Sequence, residues 1–172
     1  MSAPARALFQ TVVRDPVVPL AAALPAGLLA GVLDILAAVL VSTSRGVGPA
    51  RVLQGISSGL LGPRAFEGGT FTAGLGLALH FVVALGAATV FVVATRVLRM
   101  LVTAPYGSGA TYGVAVWAFM KFVIIPISAV HPRPFDAPLE ALLVAIHILC
   151  VGLPIALVVA RQARREGVVG AR

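Results

Sequence analysis

Charge is what this sequence has least of. Only 11% of its 172 residues are charged, against about 25% in an ordinary soluble domain, and lysine occurs once, at Lys121. With 59% hydrophobic residues and a mean hydropathy of +1.03, that shortage excludes a disordered chain and a water-soluble globule. Cysteine also occurs once, at Cys150, so no intrachain disulfide can form. The sequence has no Cys/His metal spacing and no nucleophile with a recognisable base. Gly107-x-Gly109 lacks the preceding strand that a dinucleotide site requires. The expectation is an integral membrane protein that is not an enzyme.

What is present is long apolar runs. A helix needs roughly 20 mainly apolar residues to cross a hydrocarbon core of about 30 Å. Four stretches qualify: residues 17–41, 70–95, 106–130 and 139–160. Charges or Pro/Gly punctuation bound each. They are continuous, whereas a β-barrel shows alternating segments of about ten residues. The fold expected is all-α, a single bundle of four transmembrane helices over residues 1–172. The first apolar run is longer than the 7–15 residues of a signal-peptide core and is read as a retained span, kinked or loosely started by Pro16, Pro19 and Pro25.

Arginine sets the orientation. Arg6, Arg14, Arg96, Arg99, Arg161, Arg164, Arg165 and Arg172 fall on one side; Arg45, Arg51, Arg64 and Arg133 fall on the other. Both termini are therefore expected in the cytoplasm, with the chain in a bacterial inner membrane. The net charge of +7 is mostly this flank. It is scattered around membrane ends rather than gathered on a soluble module, so it fits anionic lipid headgroups at the Arg-rich C-terminus and not nucleic acid.

The first loop is too long for a simple connection. Pro49 suits the first turn of a short helix over residues 49–61, ended by Gly62-Pro63. Val52, Leu53, Ile56 and Leu60 share one stripe, with Arg51, Gln54 and Ser58 opposite. Such a segment lies in the membrane interface or dips in as a re-entrant piece; a headgroup home for Arg51 favours the interface.

Each span carries one ionisable residue near its middle: Asp34, His80, Lys121 and His147. Such a side chain at the bilayer centre costs about 2.5–3.5 kcal/mol on insertion scales, so the four should face inward and meet in one polar layer. Glu140 belongs to the mouth of the fourth helix. Gly27 and Gly31 flank Asp34; Ala73, Gly76 and Ala84 share the face of His80. Together with the Gly109-x-x-x-Gly113 spacing, these residues mark faces where helix backbones approach closely.

Three readings of that layer follow. As glue, Asp34 and Lys121 neutralise each other while His80 and His147 hydrogen-bond across helices. As a pathway, the layer binds an ion or carries protons. As a haem b site, the two histidines are axial ligands in a four-helix bundle; the first expectation is no cofactor and no metal.

The third loop is stiff, with four prolines between Pro126 and Pro138. His131, Arg133 and Asp136 form a candidate polar cluster there. Pro126-Ile127-Ser128, then Pro132-Arg133-Pro134-Phe135-Asp136-Ala137-Pro138, then a final span closed by arginines, resembles the YagU-type bacterial inner-membrane proteins. Lys121 stands five residues before Pro126, where a polar residue fits that pattern. The resemblance covers about forty residues and implies a four-span cytoplasmic-membrane protein of uncharacterised chemistry. The leading expectation is an accessory or structural subunit that docks onto a larger membrane assembly, for example a respiratory or photosynthetic one, or onto itself. The alternative is a small proton- or ion-coupled carrier using the Asp/Lys/His layer.

Overall fold

Backbone in lipid must satisfy its own donors and acceptors, and the protein does so with helices. The computed structural model describes residues 17–130 and 135–168. Among them, four helices are long and apolar enough to cross a membrane: α1 (Leu20–Thr43), α3 (Gly69–Ala94), α4 (Pro105–Ile127) and α5 (Ala137–Arg165). A shorter helix, α2 (Pro49–Leu61), joins α1 to α3. The molecule is an integral membrane protein built as an all-α bundle of four spans.

Apart from the arginine-bearing end of α5, the long helices have no marked polar face, so amphipathicity does not choose most of their contacts. Residue size does. Small residues face neighbouring helices, and Leu36, Leu40, Val82, Val90, Phe119 and Leu149 face outward. A Cβ at Gly27 would stand 2.9 Å from Leu85 Cα, and one at Gly31 would stand 2.7 Å from the Phe81 ring. These glycines, with buried Ala84, let α1 and α3 pack directly. A Cβ at Gly109 would be 3.0 Å from Leu153 Cα, and one at Gly113 would be 2.6 Å from the His147 carbonyl oxygen. Gly152 of α5 lies against both of those α4 glycines.

α1 packs on α3 and on α5, and α5 packs on α4. At the end of the bundle where Leu20 and Arg165 lie, the near end, the core is dry. Ala26, Phe91, Val92, Ile155, Val159 and Ala160 are fully buried there. Tyr112 of α4 reaches α3 in this half: its hydroxyl donates to the Ala87 carbonyl at 2.7 Å, and its ring meets Phe91 edge-on at 4.9 Å.

The far end is built differently, because α2 closes it. Gly48 leads into Pro49 in extended conformation, and Gly62 ends the helix at φ +61°, a backbone state that L side chains rarely adopt. α2 packs along α3, where Gly76 meets the Leu53 carbonyl. The Ala129 N–H, just past α4, donates to the Gly59 carbonyl at 2.9 Å. Gly76 is thus buried at the α2–α3 contact rather than between two spans, and Ala73, one turn before it, is buried too. Three residues of α2 depart from the sequence expectation, while Arg51 is exposed and Val52, Leu53 and Ile56 are half-buried. Gln54 and Ser58, placed opposite the apolar stripe, are buried, while Leu60 is 65% exposed. The Gln54 amide donates to the Gly69 carbonyl at the start of α3, which places a polar side chain against bundle backbone and turns leucine outward.

α5 runs past the expected end at 160 to Arg165, so Arg161 and Arg164 sit on helix. Its start is set by Asp136, whose side chain accepts the Leu139 N–H at 3.4 Å while Pro138 occupies the first turn. Asp136 is therefore a helix cap, and the other two members of its expected cluster, His131 and Arg133, lie outside the described residues.

Candidate functional site

Two prolines shape the site from a distance. Proline has no N–H and its ring crowds the carbonyl four residues back. Pro126 and Pro154 stand inside α4 and α5, and each is preceded by a widened, π-helical turn, at Met120–Ile124 and His147–Gly152. In these turns Ile125 N–H donates to Met120 O and Leu153 N–H to Ile148 O, one residue further back than in an α-helix. Lys121 lies in the first turn and His147 opens the second.

A cavity of about 300 Å³ fills the far half of the bundle. Asp34 of α1, His80 of α3, Lys121 of α4, and Glu140 and His147 of α5 all line it, together with Ile56 of α2. A second cavity of about 210 Å³ lies between the far halves of α1 and α5, running from Arg45 to Asp34 and His147. The two share Asp34, Ala38, Leu143 and His147, which form the partition between them.

The pairing differs from the sequence expectation. Lys121 does not neutralise Asp34; its Nζ lies 2.7 Å from Glu140 Oε1. The reason is the length of the lysine stem, which carries the charge toward the membrane boundary. There the ammonium also lies over the rings of Trp117 (5.3 Å), Phe122 (5.8 Å) and Phe135 (4.9 Å), all within cation–π range. Glu140 is one turn into α5, and His147 is about 10 Å deeper along it. The ionisable groups therefore form a staggered lining, with Lys121–Glu140 at the mouth and Asp34, His80 and His147 below, rather than one flat layer.

The histidines are held by backbone. His80 Nε2 donates to the Gly31 carbonyl at 2.9 Å, a bond across α3 and α1. His147 Nδ1 donates within its own helix to the Leu143 carbonyl at 2.8 Å. Because a carbonyl only accepts, those nitrogens carry the protons, and the other nitrogen of each neutral ring is an acceptor. Asp34 makes no hydrogen bond or ion pair among the described residues. Glu140 Oε2 is buried without a partner among them. The haem alternative fits poorly, since His80 Nε2 is engaged with Gly31 and is not free as an axial ligand.

Sequence reasoning located four of the five ionisable wall residues and set Glu140 apart at the mouth. Spacing puts Trp117 one helical turn before Lys121, beside it on the same face, whereas Tyr112 carried no such signal. Pro126 and Pro154 were a usable signal for distorted turns beside Lys121 and His147. No protein-family model, curated protein or solved structure matches this chain.

Proposed function

We propose that the protein is a small proton- or ion-coupled carrier whose binding site is the far-half cavity. The observation that carries this reading is that ionisable side chains from all four spans converge on one space roomy enough for a solute. Small-molecule sites begin at about 300 Å³, and ionisable groups inside a membrane commonly mark substrate, ion or proton pathways. α2 lies across one end of the space, and the dry core closes the other, as a carrier with one side shut requires. The chemistry proposed is binding and release without covalent change.

A panel of small amines, carboxylates and neutral solutes tests this in proteoliposomes adsorbed to a supported membrane, where charge movement is recorded. At least one class should give a current that Asp34→Asn loses. No current above empty liposomes from any class would reject the carrier.

A second reading, as a subunit of a larger membrane complex or of its own oligomer, draws on α3. Its Gly74, Ala78 and Gly86 are exposed at four- and eight-residue spacings, and added Cβ atoms at the two glycines would meet nothing within 4 Å. Migration of a lone 17.6 kDa species on a native gel after mild solubilisation would count against it. For either role, the arginine distribution supports a cytoplasmic membrane with both termini inside and Arg161, Arg164 and Arg165 against anionic headgroups. The Pro-rich sequence between the third and fourth spans supports kinship with the YagU-type proteins.

A further inference from the structure

We infer that the far-half cavity binds a small organic ammonium ion with an apolar body. This assignment rests on the carrier reading above and names its class of solute. Lys121, the cationic side chain on the wall, is already engaged by Glu140 and by three aromatic faces. Both histidines have one N–H on a backbone carbonyl, so the second nitrogen of each ring is an acceptor whenever the ring is neutral. Asp34 has no partner among the described residues, and Glu140 Oε2 is buried without one. The wall therefore offers acceptors to a guest. With Lys121 and Glu140 paired to each other, Asp34 is the acidic side chain on the wall left for a guest.

A carboxylate or phosphate guest would meet those acceptors with more acceptors. A hard metal ion such as calcium takes six or more oxygen ligands, and among the described residues no three of His, Cys, Asp and Glu come together as such a group. An ammonium N–H matches Asp34 in charge and in hydrogen bonding. The remaining wall, including Ala38, Ile56, Val83, Ala84 and Val116, suits a short hydrocarbon body. Trp117, on the same wall, adds an aromatic face.

Trp117 is the chain's single tryptophan, so its emission reports on this cavity alone. The full chain in lipid nanodiscs is titrated with 2-phenylethylammonium, 2-phenylethanol and phenylacetate. A saturable change is expected with the ammonium and not with the other two. Affinity should fall at least tenfold in Asp34→Asn and be retained in Asp34→Glu. Ala87→Phe, which fills the cavity and leaves Asp34 in place, should abolish the change. An equal response to phenylacetate would overturn the assignment, as would unchanged affinity in a monodisperse Asp34→Asn protein. Should that variant fail to stay monodisperse, unchanged affinity in Ala87→Phe overturns it instead. Saturable ammonium binding without any transported current supports the site and rejects the carrier. A current carried only by carboxylates or neutral solutes keeps the carrier and overturns the ammonium assignment.

Discussion

Lys121 and Glu140 form an ion pair of 2.7 Å between α4 and α5, with only 24% and 21% of their side chains exposed. The two partners are not equivalent. Glu140 has one oxygen on Lys121 and the other buried without a partner, whereas Lys121 also has three aromatic faces. Lys121→Met should therefore cost about 3 kcal/mol, at the low end for breaking a buried pair, because it strands a carboxylate. Glu140→Gln should cost less. The double variant should recover most of the loss, since an apolar–amide pair leaves no charge to solvate. Reversible unfolding in mixed micelles measures all three, and equal costs for the two single variants would show that the aromatic faces contribute nothing.

That pair also shows where sequence reasoning stops. Hydropathy located every span to within a few residues, because the length of an apolar run is a property of the chain alone. The small faces at Gly27, Gly31, Gly109 and Gly113 were visible for the same reason: spacing determines which residues share a helix face. Which face meets which partner was not visible. Gly76 looked like a span–span contact and meets α2, because nothing in the sequence says that the first loop folds back across the bundle. Asp34 looked like the mate of Lys121 because mid-span depth was read at the Cα, and four methylenes can move the lysine charge by up to about one helical turn.

Glycines at the close contacts and glycines on the open surface should respond oppositely to alanine. At Gly113 a Cβ would stand 2.6 Å from the His147 oxygen and from Ile148 Cα, and backbone cannot yield cheaply. Gly113→Ala should destabilise by about 1–3 kcal/mol, the usual range for overpacking. At Gly86 a Cβ would meet nothing within 4 Å, so Gly86→Ala should stabilise α3 by about 0.5–1 kcal/mol through the lost freedom of glycine. Unfolding midpoints of the two variants decide the matter. A destabilised Gly86→Ala would instead point to a partner seated on that face of α3.

Membrane orientation can be read with single cysteines in a Cys150→Ser background. Arg45 lies at the far end beside the second cavity, and Arg165 lies at the near end. A membrane-impermeant maleimide applied to intact cells should label Arg45→Cys and spare Arg165→Cys until the cells are opened. The reverse pattern would place the termini outside and remove the argument from arginine distribution.

The widened turn at His147–Gly152 should depend on Pro154. Alanine there restores an N–H that can donate to the Cys150 carbonyl and removes the ring that crowds it. α5 then gains up to about 3 kcal/mol in helix propensity, and the turn closes to an ordinary α pattern. Closing it rotates the part of α5 before the turn by about 100° relative to the part after it, since one residue of a helix subtends that angle. Glu140 and His147 would leave the cavity wall while Ile155 and Val159 stayed in the near-end core. Amide hydrogen exchange in Pro154→Ala should accordingly slow across residues 148–154, and the Trp117 response to 2-phenylethylammonium should fall at least tenfold. Unchanged exchange would mean that the contact of Gly152 with Gly109 and Gly113, rather than the proline, holds the turn open. In that case Gly152→Ala, and not Pro154→Ala, would be the substitution that empties the wall of His147.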